Sequence, residues 1–290
     1  MQYRVMGYTD PKIRRYLVGS SQPKPYLHPM AYTSYNTIGT EYDTTRKADP
    51  YLSERLFTLL GLPRSGHVLD VGCGTGNYTL ELARTGLQLT GMDPSRTMLD
   101  QAMKKSAKVT WCIGTAENIP FADGTFKGAI GTLTTHHWSE LEKGFREIHR
   151  VLRSGSKLVL FTSTPEQMRG YWLCHYFPRT MERSCAFMPT LEATLEGLQN
   201  AGFRHIVQES YVIRADHQDH FLYSAKDEPE RYLDAEFRKG ISTFSALSDP
   251  EELANGLARL EHDIASGEWM NVRANYTHDR GDYLFIAAQQ

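Results

Sequence analysis

Cysteine, long apolar runs and surplus charge are all scarce in this sequence, and each shortage removes a class of protein. The four cysteines, Cys73, Cys112, Cys174 and Cys185, are scattered through 290 residues without a CxxC pair. That spacing speaks against a disulfide scaffold or a zinc site and for a reduced, cytoplasmic protein. No apolar run approaches the roughly 18 residues of a membrane-spanning helix. The first residues, MQYRVMGYTDPKIRRYL, lack the apolar centre of a secretory signal, so neither membrane nor export is expected. A formal net charge of −2 lacks the basic excess of a nucleic-acid binder. Repeats and low-complexity tracts are missing too. What is present is a 40% hydrophobic chain, enough for a packed core in one large domain or two small ones. Its partner is expected to be a small molecule; nothing in the sequence marks an oligomeric state.

Residues 1–50 hold Tyr3, Tyr8, Tyr16, Tyr26, Tyr32, Tyr35 and Tyr42, with Pro11, Pro23, Pro25 and Pro29. They read as an arm on the domain surface, or as one whose last part, AYTSYNTIGTEYDTTR, covers the active site. From Asp49 the pattern is regular. Asp49 and Pro50 start a helix with Leu52, Leu56 and Leu59 or Leu60 on one face. HVLDV, LQLTGMD, VTWCIG, FKGAIGTL and KLVLFT then read as buried strands alternating with helices, one of them capped by Ser139 with Glu142 as its box partner. HIVQESYVI and GDYLFIAAQ supply two more strands. The expected fold is α/β: a Rossmann-like, seven-stranded, mostly parallel sheet with helices on both faces and an antiparallel last strand. Insertions after strands 5 and 6, about 163–189 and 214–280, form a helical cap on a domain spanning 51–290.

The stretch VLDVGCGTGNYT, residues 68–79, carries the cofactor argument. Gly72, Gly74 and Gly76 follow a strand that contains Asp70, and a helix opens behind them. A dinucleotide fingerprint would place its third glycine at Asn77, so the spacing differs from that motif. Asp93 ends the second strand, where a carboxylate accepts from both hydroxyls of a ribose. Four blocks in order, VLDVGCGTG, GMDPSRTMLDQA, GTAENIPFADGTFKGAI and LTTHHWSELEKGFREIHRVLRSGSKLVLF, span about 66–162. Together they resemble the class I S-adenosylmethionine (SAM)-dependent methyltransferases, the group that includes ubiquinone/menaquinone-type and trans-aconitate-type enzymes. The resemblance implies SAM as cofactor, S-adenosylhomocysteine (SAH) as product and no metal. It puts Asp70, Gly72 and Gly74 at the methionine part and Asp93 on the ribose. It puts Met98, Thr115, Ala116 and Glu117 around the adenine, with Leu133 lining the same site. Two positions depart from the family, which often has Asp where Thr115 and Lys127 stand.

TTHHW, residues 134–138, follows the fourth strand at the edge where open α/β sheets bind ligands. His136 or His137 either takes a proton from the acceptor or fixes the loop. Tyr42 and Arg46 stand four apart, on one face of a short helix, and either hold the cofactor or decorate a surface helix. Tyr171, Trp172, His175, Tyr176 and Arg179 recur at near-helical spacing in the cap. They form its core, or, with Tyr35 of the arm, line a substrate site that Arg179 and Arg183 would suit to an anion. DHQDHFLY, residues 216–223, offers His217 and His220 but no third metal ligand. The leading expectation is methyl transfer to an O, N or C atom of a small metabolite. A SAM- or SAH-binding regulatory or scaffold protein without turnover is the alternative. Arsenite methylation would need clustered cysteines, base methylation an NPPY-like motif, and aminopropyl transfer acids at TTHHW; the sequence has none of these.

Overall fold

The structure, a computed structural model, describes residues 46–290. Tyr35, Tyr42 and nearly all of the expected N-terminal arm lie outside the described residues. The first helix, α1 (Pro50–Leu60), starts where its cap dictates. Asp49 accepts from Leu52 N, Pro50 occupies the first turn, and Gly61 ends the helix in the left-handed conformation. Leu52, Leu56 and Leu60 form its buried stripe. Strands β1 (His67–Val71), β2 (Gln88–Asp93), β3 (Thr110–Ile113), β4 (Phe126–Thr132), β5 (Leu152–Thr162), β6 (Arg204–Tyr211) and β7 (Tyr283–Gln289) make one sheet in the order β3-β2-β1-β4-β5-β7-β6. The pairs from β3 to β5 are parallel, and β7 runs antiparallel between β5 and β6. This is the expected Rossmann-like, mostly parallel arrangement.

Neighbouring residues of one strand enter different cores. Val68, Ile130 and Val159 join Leu52 and Leu56 in one cluster, while Leu69, Ala129 and Leu158 join Ile148 and Leu198 in another. That alternation is the two-residue period of a sheet covered on both faces. The covering helices are α2 (Asn77–Arg84), α3 (Arg96–Lys105), α4 (Leu141–Val151) and, before β6, α8 (Leu191–Asn200). Between β5 and α8 stand α5 (Pro165–Met168), α6 (Leu173–Tyr176) and α7 (Pro178–Phe187). Between β6 and β7 stand α9 (Ala235–Lys239), α10 (Ser242–Leu247), α11 (Pro250–Ser266) and α12 (Trp269–Ala274). Among the described residues no helix is long and apolar enough to cross a membrane.

One sequence expectation changes in detail. Ser139 does not cap α4, whose N-cap is Glu140 without a side-chain bond. Leu152 opens β5 directly after α4. On α11 the fully buried positions are Glu252, Gly256 and Leu260, with Leu253, Leu257 and Ile264 only half-buried. Glu252 goes inward because it accepts from Arg179 N and Thr180 N, capping α7 across the contact. The order of strands reverses at β1 and β4, which run side by side to a shared carboxyl edge. In open α/β sheets ligands bind outside the carboxyl ends of the strands at such a reversal.

Candidate functional site

The turn after β1 is tied down first by the backbone. Gly72 N and Cys73 N both donate to Met92 O, at 2.8 and 3.0 Å. Gly72, Gly74 and Gly76 all have positive φ, at 74°, 54° and 79°. Their surroundings separate their roles. A Cβ on Gly72 would stand 2.0 Å from Thr134 Oγ1, and one on Gly76 would stand 2.3 Å from the Trp111 ring. A Cβ on Gly74 would meet nothing within 4 Å. Two of these glycines therefore pack against protein, and the middle one leaves open space beside the chain. Lys105 braces the turn from α3, donating to Thr75 Oγ1 at 3.1 Å and Asn77 Oδ1 at 2.7 Å.

Asp93 stands at the rim of that space. Its Oδ2 accepts from Gly74 N at 2.9 Å and its Oδ1 from Ser95 N at 2.8 Å. Each oxygen keeps a second lone-pair site, which is what a ribose diol requires. Burial pushes its pKa up to about 6, against the pull of the two N–H groups. Asp70 is turned inward instead. Its Oδ2 accepts from Thr79 Oγ1 at 2.6 Å. Burial, then the nearby charge of Asp93, push it up to about 7. Its visible role is to pin α2 to β1.

The adenine-side expectations fare unevenly. Met98 is buried on α3, whose N-cap Ser95 accepts from Met98 N. Ala116 is buried in the second core cluster, and Thr115 pairs with Asn118 in a tight turn. Glu117 is engaged within the protein. Its Oε1 accepts from Ser139 N at 2.6 Å, Ser139 Oγ at 3.0 Å and Glu140 N at 3.2 Å. That oxygen ties the turn after β3 to the residues just before α4. Glu117→Ala is expected to cost about 1 kcal/mol of stability, the order of one hydrogen bond; thermal unfolding checks it.

The turn after β4 lies against the glycine turn through Thr134. Leu133 adopts a left-handed φ of 51°, which is strained for a leucine, and donates its N–H to Phe161 O at 2.8 Å. It swings the chain into a 3-10 turn, Thr135–His137. The rings of His136 and His137 lie 3.9 Å apart. Among the described residues, His136 Nδ1 and Thr132 Oγ1 are buried polar atoms without a hydrogen-bond partner. Such atoms are costly unless something binds them. Burial, then the charges of His137 and Arg46, hold His136 well below the usual imidazole range, and burial pushes His137 down to about 4. Both imidazoles are neutral near pH 7, and His136 Nδ1 is a buried ring nitrogen without a partner among the described residues.

Arg46 is held by a residue that the sequence reading connected with metal. Arg46 Nε and Nη2 donate to Asp219 at 2.6 and 3.0 Å. Among the described residues no cluster of three or more metal-ligating side chains forms. The cap residues expected either as core or as a substrate lining are engaged with the cap itself. Trp172 and Tyr176 are fully buried, with Trp172 Nε1 donating to Lys226 O and Tyr176 Oη to Asp263. His175 pairs with Arg259 of α11. Arg179, 60% exposed, pairs with Asp249 and Glu252. These side chains join the cap helices to one another, because an aromatic stripe at helical spacing buries itself first. The thiols are unreactive: burial raises Cys73 well above its usual value, Cys112 and Cys185 to about 11 and Cys174 to about 12.

Comparison with known proteins meets this geometry. Residues 69–160 match a family model described as a methyltransferase domain. An O-methyltransferase of Aspergillus sclerotiorum is 30% identical over 125 residues, 41% of this chain and 47% of the relative. A ubiquinone/menaquinone biosynthesis C-methyltransferase of Rubrivivax gelatinosus is 31% identical over 150 residues, 49% of this chain and 58% of the relative. The chain thus spans about half the length of these curated relatives. A solved structure from Anabaena variabilis, described as a candidate methyltransferase of an antibiotic biosynthesis pathway, matches much further. It is 34% identical with a TM-score of 0.76, covering 85% of this chain and 99% of that one. A phosphoethanolamine N-methyltransferase of Haemonchus contortus, solved with SAM, is 19% identical with a TM-score of 0.58, covering 88% of this chain and 57% of that one, and shares the fold.

Proposed function

This chain belongs to the class I SAM-dependent methyltransferases, and we propose that it moves a methyl group from SAM to an oxygen, nitrogen or carbon atom of a small organic metabolite. One observation carries the proposal. Gly74 has open space where its neighbours are crowded, and its N–H holds a carboxylate with lone pairs to spare. Across the Gly72–Thr134 contact, His136 Nδ1 and Thr132 Oγ1 await partners. That combination fits a ligand with a diol at one end and a reacting group at the other. The relatives act as O-, C- and N-methyltransferases by name, which supports the class of reaction and leaves the acceptor atom open.

When bound, SAM supplies a methyl group on a sulfonium, a carbon open to in-line attack. The chain's own residues do the holding. Asp93 takes the ribose hydroxyls, and Gly74 lets the backbone approach. His136 and His137, both neutral, accept a hydrogen bond or a proton from the acceptor. Alignment of two reactants is worth on the order of 7–11 kcal/mol, so orientation supplies most of the rate. An anionic acceptor loses its support, because Arg179 pairs with Asp249 and Glu252 and Arg183 donates to Leu247 O.

Calorimetry with SAM and SAH tests the cofactor. Micromolar binding is expected, and a folded protein that binds neither ligand overturns the proposal. For the acceptor step, His136→Ala is expected to lower kcat about 100-fold, the low end for a lost proton acceptor. His137→Ala should do less, and SAH affinity should hold in both. Near-normal turnover in both variants would remove the histidines from the chemistry.

A further inference from the structure

In segment 217–219, which the chemistry above does not use, Asp219 and the His217 side chain are buried and tied both to residues 46–49 and to the helix that starts behind the glycine turn. Asp219 is 1% exposed. Besides Arg46, it accepts from Tyr78 Oη at 3.1 Å and Lys47 N at 3.4 Å. Tyr78 is the second residue of α2, directly behind the glycines. Asn77, the first, donates from Nδ2 to Arg46 O at 3.0 Å. Two residues before Asp219, His217 closes a second link. Its Nε2 donates to Asp219 O at 2.7 Å, and its Nδ1 lies 3.3 Å from Asp49 Oδ2 and 3.2 Å from Tyr211 Oη. Gln218 N donates to the same Asp49 oxygen at 2.9 Å. The segment that leads into α1 is therefore gripped from one side by the turn after β6 and from the other by the start of α2.

We propose that Asp219 is a positioning residue for the cofactor site: it fixes the Arg46 guanidinium at the lip of the glycine turn. This rests on the cofactor reading above. The geometry has a physical logic. A buried carboxylate demands a partner, and a guanidinium bridging both of its oxygens has one allowed orientation. That orientation is tied through Tyr78 and Asn77 to the helix that begins at the glycines. The Arg46 charge also adds, after burial and His137, to keeping His136 neutral. A segment far along the chain thereby sets a charge to which the histidine turn responds.

The test is a double-mutant cycle on SAH affinity, read by calorimetry on the full chain. Asp219→Asn keeps the shape and removes the charge. In the wild-type background it should weaken SAH about tenfold; in an Arg46→Gln background it should change SAH affinity less than twofold, because its effect passes through Arg46. Equal losses in both backgrounds would make Asp219 a general structural residue and overturn the proposal, as would no loss in either. If Asp219→Asn does not fold, Asp219→Glu, which keeps the charge and displaces it, takes its place in the same cycle with the same outcomes. Absence of SAH binding by the unaltered protein would overturn the cofactor reading itself, and this proposal with it.

Discussion

Asp93→Ala is expected to lower SAM and SAH affinity roughly 1000-fold, about 4 kcal/mol, from two hydrogen bonds to a charged group at about 2 kcal/mol each. The carboxylate already accepts from Gly74 N and Ser95 N, so the substitution also strands those two donors. Asp93→Asn separates the effects. Its amide oxygen still accepts one N–H, but its NH2 cannot accept a hydroxyl, so binding should fall while most of the fold's stability stays. Calorimetry alongside thermal unfolding reads both. Wild-type affinity in Asp93→Ala would remove the ribose from this position.

The same residue sets a pH dependence with a definite sign. The folded, unliganded protein holds Asp93 at about 6, above the usual carboxylate value. Ribose hydroxyls donate to the ionised form, so binding releases a proton below that value. Affinity should therefore fall about tenfold for each pH unit below about 6 and level off above it. Asp93→Asn should flatten the profile. Stability of the unliganded protein runs the other way. Asp93 and Asp70, at about 6 and about 7, bind more protons when folded than when unfolded. Their contribution to stability is full below the unfolded pKa and declines as pH rises through 4 to 7. Saturating SAH should offset the Asp93 part of that decline.

What was legible in the sequence was local. VLDVGCGTG is a strand, a turn and a helix start within a few residues, and Asp93 closes a strand that pairs beside it. Strand and helix periods carried the fold for the same reason. What the sequence hid was the partner of each charged side chain. Glu117 looked free for adenine until α4 came back to it 22 residues later. Arg46 looked free for the cofactor, and Asp219, 173 residues away, holds it. The cap's aromatic stripe was ambiguous because core and pocket want the same residues. Their partners came from afar: Asp263 and Arg259 of α11 and Lys226 O. Trp111 carried no motif at all, yet its ring explains why Gly76 and Gly91 have no side chain.

Gly72→Ala and Gly74→Ala should fail in opposite ways, although the two residues are two apart and both have positive φ. At Gly72 an added methyl meets Thr134 Oγ1 at 2.0 Å and Thr134 Cβ at 2.8 Å. The left-handed backbone costs about 1–2 kcal/mol for alanine, and the overlap about 1–3 kcal/mol more. A loss of roughly 2–5 kcal/mol lowers Tm by about 10 °C in a domain of this size. Thr134→Ala in the same chain should return part of it, because the nearest atom in the clash is gone while the backbone cost stays. At Gly74 the methyl meets nothing, so only the backbone cost remains and the fold should survive. The methyl then stands in the space left for the ligand, and SAH binding should be lost from a folded protein. A Gly74→Ala protein that binds SAH normally would mean that the open face is turn geometry alone. Loss of binding with the fold intact would mean that, of the two glycines, Gly72 is needed by the protein and Gly74 by its cofactor.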